Sequence, residues 1–195
     1  MTEPATARAG AEAQDRVAVT VTFLRMERPP ADPAPPFAEP VNLVRLAAPS
    51  VGFYRYLYDS VGQPHLWWLR RMVPDAELAE LLADPRISVH VLYRAGEPAG
   101  FFELDASYWP LVNLSYFGLL PAAIGRGLGY ALLRRAVDEV WGRGARGMTV
   151  NTCTADHPRA LPAYLRAGFR PVRQIREIWE IPRRLGFTIP DRLRA

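Results

Sequence analysis

The stretch PAAIGRGLGYALLRRAV, from Pro121 to Val137, constrains this chain more than any other. Its three glycines, Gly125, Gly127 and Gly129, follow a strand-like run and precede a run of good helix formers. A helix N-terminus exposes unpaired amides at the positive end of the helix dipole, and glycine lets an anion approach the backbone closely. The stretch therefore predicts a phosphate-binding loop, although glycine also precedes helices that bind nothing.

Two other kinds of phosphate-binding loop do not fit this stretch. A dinucleotide-binding loop follows the first strand of a βαβ unit and is followed about 20 residues later by an acidic residue. Here the glycines come late in the chain, after several strand-like segments. A P-loop needs a lysine after its last glycine, and this chain contains no lysine.

Hydrophobic periodicity predicts the order strand, helices, three strands, helix, strand, helix, strand. The predicted strands are RVAVTVTFLRM, ISVHVLYR, AGFFELDAS, VNLSYFGLL, GMTVNTCT and VRQIREIWEI. Besides the helix after the glycine loop, helices are predicted in SVGFYRYLYDSVGQPHLWWL, with a break at Gly62–Pro64, in PDAELAELLADP and in HPRALPAYLRAGF. The proline-rich stretch ERPPADPAPPFAEP cannot be a regular helix or a central strand, so we expect an extended connection across the fold.

The helix after the glycine loop is amphipathic. Apolar side chains recur at helical spacing on its predicted inner face: Leu128, Leu132, Ala136 and Val140. Charged side chains are predicted on its solvent face: Arg134, Arg135, Asp138 and Glu139. This pattern predicts that the helix packs against the sheet through one side only.

The length of 195 residues, of which 49% are hydrophobic, is enough for one core and short for two full domains. We therefore expect a single domain over residues 16–182. Residues 1–15 are small and polar without periodicity, which predicts a disordered N-terminal tail. Residues 183–195 are predicted to be a C-terminal tail, which is available for contact with a second copy in a homodimer.

Charge and composition narrow the classes of partner. The net charge is +4, and the arginines are scattered among acidic residues rather than gathered in a stripe, so no nucleic-acid binding is expected. No apolar run reaches the roughly 18 residues of a membrane span, and the N-terminus lacks the apolar core of a signal peptide. Together with the single cysteine, Cys153, this predicts a cytoplasmic protein without membrane contact. His65 and His90 are not grouped with other ligands, so no metal is expected.

Two motifs together carry a resemblance to a known family. LLPAAIGRGLGYALL and RALPAYLRAGF resemble the GCN5-related N-acetyltransferase (GNAT) family, with a glycine loop after a strand and a Tyr followed by Gly-Phe on a later helix. The order of elements also matches, so the resemblance covers roughly Val17 to Ile181. It implies an α/β (α+β) fold with a mixed, mostly antiparallel sheet of six to seven strands, flanked by about four helices. It also implies acetyl transfer from acetyl-CoA, a co-substrate, to a primary amine in a ternary complex.

The resemblance implies where coenzyme A binds. The pantetheine arm is expected beside the strand that ends at Leu119, whose backbone would face it, and the pyrophosphate is expected on the glycine loop. The residues implied in cofactor binding are Leu119, Ile124, Gly125, Arg126, Gly127, Leu128, Gly129, Tyr130 and His157. Two of them depart from the family pattern: Ile124 replaces a Gln or Arg, and His157 replaces an Asn. At these two positions the family's side-chain contacts do not carry over directly, whereas backbone contacts need not change, and His157 stays a candidate for contact with CoA.

The resemblance implies that Tyr164 protonates the departing thiolate. The alternative is that Tyr164 only packs against Phe169 beside a left-handed cap at Gly168. For the general base we expect Glu103, because a carboxylate between aromatic residues on a central strand would be partly desolvated. The alternatives are that it faces solvent or pairs with an arginine. Asp105 and Asp59 are weaker candidates for the base.

The remaining candidates have structural interpretations. Asp156 is expected to cap the helix that follows it, and Cys153 is expected to pack in the core. Aromatic residues are predicted to line the acceptor pocket, which favours an amine with an apolar part: Tyr54, Tyr56, Tyr58, Trp67, Trp68, Tyr108 and Trp109. A noncatalytic acyl-CoA sensor and an acyltransferase that uses a longer acyl chain stay open as alternative functions.

Overall fold

The computed structural model of the chain describes residues 12–195. In this part of the chain there are seven strands: β1 (Gln14–Met26), β2 (Asn42–Arg45), β3 (Ile87–Arg94), β4 (Glu97–Asp105), β5 (Leu111–Leu119), β6 (Gly147–Cys153) and β7 (Arg170–Pro182). It also contains five α-helices: α1 (Val51–Gly62), α2 (Leu69–Met72), α3 (Asp75–Ala83), α4 (Leu128–Gly142) and α5 (Ala160–Ala167). The strands form one sheet in the order β2-β3-β4-β5-β6-β1-β7.

The sheet is mixed. Every neighbouring pair of strands is antiparallel except β5 and β6, which run parallel. The parallel pair is connected by α4, as a crossover requires. The predicted fold class, a mostly antiparallel sheet of six to seven strands with flanking helices, is therefore confirmed.

The first strand of the chain lies far from the second. β1 pairs with β6 and β7, whereas β2 is the opposite edge of the sheet and pairs only with β3. The proline-rich connection between them crosses the face that α4 covers, where the Phe37 ring lies 5.8 Å from the guanidinium carbon of Arg135. The predicted extended connection is thus confirmed, while the short edge strand after it escaped prediction.

Arg134 is not on the solvent face of α4, as its place in the charged pattern predicted. Its side chain is only 5% exposed. One of its terminal nitrogens donates a hydrogen bond to the backbone carbonyl of Asp32. The prediction was wrong because the proline-rich connection passes over this side of the helix.

The two faces of the sheet are covered by different helices. On one face, α4 packs its buried stripe, including Leu132 and Val140, on the central strands. On the other face, α1 and α3 bury Leu57 and Leu78 against β3 and β4. The sheet is therefore enclosed on both sides around its middle strands, which places β5 at the centre of the molecule.

Parts of both predicted tails belong to the folded domain. Gln14 and Asp15 belong to β1, and the other predicted tail residues up to 11 lie outside the described residues. In the predicted C-terminal tail, Ile189 and Leu193 are buried in a cluster with β1 and β7. None of the described helices is long and apolar enough to cross a membrane.

Candidate active site

The central feature of the site is a split between the parallel strands β5 and β6. Their pairing begins at Leu111 with Gly147 and ends at Leu114 with Val150. Beyond this point β5 stays paired with β4 as far as Leu119, while β6 follows β1. The β6 side of the second half of β5 is therefore left without a strand partner among the described residues.

A cavity of about 1090 Å³ opens at this split. It is lined by β5 from Asn113 to Leu119, by the glycine loop, by α5 and by the segment between α1 and α2. Pockets for one drug-sized ligand are about 300–1,000 Å³. The volume of this cavity thus lies just above that range.

The glycine loop forms one end of the cavity. Gly125 and Gly127 have φ angles of +85° and +75°, a region that side chains with a Cβ disfavour. Gly127 is the N-cap of α4 and supplies no side-chain cap, so the first-turn amides are free to bind another group. The start of α4 lies close to the end of β5, because a Cβ added to Gly129 would be only 3.5 Å from Cδ1 of Leu119.

The side chains of the other predicted cofactor residues differ in whether they line the cavity. Ile124 is half-exposed and lines the cavity, as does Tyr130, whose hydroxyl donates a hydrogen bond to the carbonyl of Arg166 at 3.3 Å. Arg126 bends back, and its Nε donates to the carbonyl of Ala122 at 3.1 Å. The side chain of Leu128 is fully buried in the core, so only its backbone is available to a ligand.

Tyr164 lies on α5 and lines the cavity, with only 5% of its surface exposed. Burial, and secondarily the negative charge of Asp156, raise the pKa of its phenol above the ordinary value. Gly168 has a φ of +105° at the end of α5, and the amide of Phe169 donates to the carbonyl of Tyr164 at 3.1 Å. The predicted clasp between Tyr164 and Phe169 therefore exists, with ring centroids 5.9 Å apart, and it leaves Tyr164 at the cavity wall.

Asp156 does not cap α5, because the N-cap of that helix is Arg159. Its Oδ2 accepts hydrogen bonds from the Thr152 hydroxyl at 2.7 Å and from the Cys153 amide at 2.9 Å. Its Oδ1 accepts only a long bond of 3.5 Å from the indole of Trp67. The structure thus places in the cavity wall a carboxylate that the sequence analysis had assigned to a capping role.

Two histidines lie beside this carboxylate. The rings of His65 and His157 are 6.2 Å apart in an edge-to-face arrangement, and both line the cavity. Nδ1 of His157 accepts a hydrogen bond from the amide of Arg159 at 3.1 Å. Nδ1 of His65 lies 3.4 Å from the carbonyl of Ala155, to which it donates. Within residues 12–195, no three His, Cys, Asp or Glu side chains are grouped as a metal site would require.

Glu103 does not line the cavity. It is 0% exposed, and its two carboxylate oxygens accept hydrogen bonds from the Tyr54 hydroxyl at 2.5 Å and from Nη2 of Arg70 at 2.8 Å. Of the alternatives for Glu103, pairing with an arginine is the one present. Asp59, in an ion pair with Arg71, and Asp105 are also absent from the cavity wall.

Three aromatic rings form the wall on the side of α1 and α2. The ring centroids of Tyr58, Trp67 and Tyr116 are 4.9 to 5.3 Å apart. Trp68 also lines the cavity, whereas Tyr54, Tyr56, Tyr108 and Trp109 do not. The aromatic lining that composition predicted is thus present but is built from fewer of the candidates.

Cys153 is half-buried: it packs against the hydrophobic cluster of β1 and β7, as expected, and it also lines the cavity. Burial, together with the charge of Asp156, raises the pKa of its thiol to about 12. The thiol therefore stays protonated at neutral pH, when it is a poor nucleophile.

Comparison with known proteins agrees with this geometry. The sequence profile described as the acetyltransferase (GNAT) family matches residues 50–169, which is more than half of the chain. The chain therefore belongs to the GNAT acetyltransferase family. No curated protein matches the sequence.

Solved structures share the fold at low sequence identity. A GCN5-related N-acetyltransferase from Sphaerobacter thermophilus is 20% identical, with a TM-score of 0.54 over 88% of this chain and 53% of its own. A tandem GNAT protein from the clavulanic acid biosynthesis pathway is 17% identical, with a TM-score of 0.59 over 88% and 55%. An aminoglycoside acetyltransferase from an uncultured soil metagenomic sample is 18% identical, with a TM-score of 0.51 over 65% and 86%. This chain spans little more than half the length of the first two proteins.

Proposed function

We propose that this protein transfers the acetyl group of acetyl-CoA to the primary amine of a small molecule by direct attack. The observation that carries the proposal is that glycines of the glycine loop, the half of β5 without a partner on its β6 side and Tyr164 all line one cavity. A diphosphate, an extended amide-bearing arm and a thiolate need these three kinds of partner.

The fit of coenzyme A to this cavity rests on the backbone. The amides of residues 126–130 hold the pyrophosphate, because Gly125 and Gly127 leave no Cβ above them. The unpaired half of β5, up to Leu119, offers amides and carbonyls to the pantetheine arm in the manner of an added strand. Ile124 contributes apolar contact, and His157 lies close enough to line the same wall.

The proton transfers are assigned to Tyr164 and Asp156. The neutral amine nitrogen attacks the thioester carbon, the C–S bond breaks, and the phenol of Tyr164 gives its proton to the leaving thiolate. The proton lost by the new amide nitrogen returns to the Tyr164 phenolate, directly or through water. The raised pKa of that phenol keeps it protonated at neutral pH. The ammonium proton of the acceptor passes to Asp156, directly or through water, because Asp156 lines the cavity and its Oδ1 accepts only one long hydrogen bond.

Asp156 takes the place of Glu103 in this scheme. A general base must come within hydrogen-bond reach of the proton that it removes, or be connected to it by one water. Glu103 is enclosed by Tyr54 and Arg70, so it meets neither condition. Asp156 is the carboxylate in the cavity wall beside Tyr164.

Release of free thiol tests the proposed function. The protein is mixed with acetyl-CoA and a panel of primary amines, and thiol is followed with a chromogenic disulfide while the acetylated product is identified by mass spectrometry. Turnover with at least one amine, lost in Tyr164→Phe and kept in Tyr93→Phe, supports the proposal. Binding of acetyl-CoA without any turnover supports a noncatalytic sensor instead. Turnover only with longer acyl-CoA substrates supports the other alternative.

A further inference from the structure

Arg70 is held in a fixed position by buried groups. Its Nη2 donates to Oε1 of Glu103 at 2.8 Å, and its Nε lies 3.3 Å from the Tyr54 hydroxyl. Its backbone amide donates to the hydroxyl of Tyr58 at 3.2 Å. Glu103 and Tyr54 are both fully buried in the core between α1 and β4. The guanidinium therefore has one orientation before any ligand arrives, which lowers the entropic cost of binding.

One end of this guanidinium remains available to a ligand. Arg70 lines the cavity, and 19% of its side chain is exposed. Its Nη1 makes no hydrogen bond with the described residues, whereas Nε and Nη2 both do. An arginine nitrogen carries only donors, so this unused Nη1, on a side chain that lines the cavity, requires an oxygen acceptor from a ligand or from water.

The surroundings of Arg70 are aromatic. Its guanidinium carbon lies 5.3 Å from the ring centroid of Tyr116, and Tyr116 in turn contacts Trp67 with 5.1 Å between centroids. The indole of Trp67 reaches Asp156. The rings of Tyr116 and Trp67 thus lie between Arg70 and Asp156. Asp156 is the carboxylate that we propose accepts the proton of the acceptor ammonium.

We propose that Arg70 binds a carboxylate of the acceptor, so that the acceptor is an amine with an apolar or aromatic body and a carboxylate group. This inference rests on the proposed function and assigns the substrate class of the same site. Glu103 is then a positioning residue, which holds Arg70 and does not touch the substrate. The amine lies toward Asp156, the body lies along Trp67 and Tyr116, and the carboxylate lies at Nη1 of Arg70.

A carboxylate fits this position better than a neutral oxygen. Hydrogen bonds between guanidinium and carboxylate are charge-assisted and roughly twice as strong as neutral ones. They gain further strength beside aromatic rings that exclude water. A bidentate contact with a phosphate would need two free nitrogens, and both Nε and Nη2 of Arg70 are already engaged by Tyr54 and Glu103.

The first experiment compares amines that differ only in this group. 4-(Aminomethyl)benzoate, 4-(aminomethyl)benzamide and benzylamine, in which the ring separates the amine from the second group, are offered to the wild-type protein with acetyl-CoA. We measure kcat/KM for each, together with the 6-aminohexanoate and pentylamine pair. We expect kcat/KM to be at least tenfold higher for the carboxylates than for the amide and the decarboxylated amines. Equal or higher values for the compounds without a carboxylate overturn the inference.

The second experiment measures binding without catalysis, so that a failure of the proposed function is recognised separately. 3-Phenylpropionate and indole-3-propionate, which carry no amine, are titrated calorimetrically into the full chain saturated with CoA. We expect binding to the wild-type protein that is weakened at least tenfold in Arg70→Lys and is unchanged in Arg71→Lys. Arg71→Lys is the matched control, because Arg71 is next to Arg70 in the chain but pairs with Asp59 outside the cavity wall.

The outcomes of the two experiments separate the claims. If the carboxylates bind through Arg70 but no amine is acetylated, the binding site stands and the proposed activity falls. If amines are acetylated without preference for a carboxylate and neither propionate binds, the activity stands and the role of Arg70 falls. Arg70→Lys keeps a cation beside Glu103, so its thermal melting is expected to stay close to that of the wild type, and a folded variant that binds as well as wild type overturns the inference.

Discussion

A Cβ added to Gly127 would lie 3.5 Å from the Cβ of Ala38, which joins the glycine loop to the proline-rich connection from the other end of the sheet. Ala38 does not line the cavity, so the connection packs beside the loop outside the cavity wall. The loop is therefore held between a rigid extended segment and the end of β5. Packing on both sides supports the backbone whose amides we assign to the anion.

Gly127→Ala is expected to weaken CoA binding at least tenfold. At a φ of +75°, alanine costs about 1–2 kcal/mol, and the loop is expected to shift to relieve that strain. The shift moves the amides that we assign to the pyrophosphate. Calorimetric titration with CoA measures the affinity.

Gly144→Ala is the matched control for this substitution. Gly144 has a φ of +83° with no atom within 4 Å of an added Cβ, and it lies beyond the far end of α4. It should lose similar stability without losing CoA affinity. Equal CoA affinity in the two variants would remove the glycine loop from the binding site.

Tyr164→Phe is expected to lower kcat by about 10²-fold or more while the KM for acetyl-CoA changes little, as for the loss of a positioned general acid. The clasp with Phe169 uses the ring and the backbone of residue 164, so it survives the substitution. Steady-state kinetics with saturating amine separates the two parameters. A rise in KM with unchanged kcat would show that the hydroxyl only helps to bind the cofactor.

Asp156→Asn is expected to lower kcat/KM for the amine by about 10²-fold at pH 7. The amide oxygen can still accept the bonds from Thr152 and Cys153, so the turn should persist. Because the proton acceptor is lost, the remaining activity should rise with pH as more of the amine becomes neutral in solution. Asp59→Asn, outside the cavity, is the control, and equal losses in both variants would contradict the assignment.

The pKa of the Cys153 thiol tests the charge of Asp156 without any need for turnover. Burial and the negative charge of Asp156 raise the pKa of its thiol to about 12. In Asp156→Asn the second cause disappears, so the pKa should fall and the thiolate fraction at pH 8 should rise. Labelling with a maleimide should therefore be faster than in the wild type, and this chain has only one cysteine to label. Equal labelling rates would mean that Asp156 does not act on Cys153.

Local patterns determined what could be predicted from the sequence. The glycine loop, α4 and the cap at Gly168 depend on residues a few positions apart, so their spacing identified them. β2 escaped prediction because a four-residue edge strand with mostly exposed side chains has no periodic signal. The burial of Arg134 depends on a contact with Asp32 more than a hundred residues away in the chain, and no local pattern records it.

The roles of two carboxylates in the site could not be predicted, because they depend on contacts that the local sequence does not show. Glu103 was recognised as an unusual carboxylate on a central strand, but its partner Arg70 comes from a separate helix 33 residues earlier. Without that partner, a buried acid resembles a catalytic base. Asp156 was misread for the opposite reason, since an Asp shortly before a helix resembles a cap, and only the turn geometry shows that it bonds backward to Thr152 and Cys153.

His90 is expected to make the stability of the fold depend on pH. It is 4% exposed in β3, its ring is stacked on Phe102, and its Nε2 has no hydrogen-bond partner among the described residues. Burial lowers the pKa of this imidazole to about 4, whereas the unfolded chain has about 6.5. Between these values the unfolded state binds more protons, so the free energy of unfolding falls as the pH falls from 6.5 toward 4.

His90→Phe removes this titration and keeps a ring against Phe102. Between pH 7.5 and 5.0 the wild type should lose about 2 kcal/mol more stability than the variant, from the two pKa values through linkage. Urea unfolding at both pH values measures the difference, and His157→Gln, at an exposed histidine, should follow the wild type. Parallel pH profiles for wild type and His90→Phe would mean that the buried imidazole accepts a proton without opening the sheet.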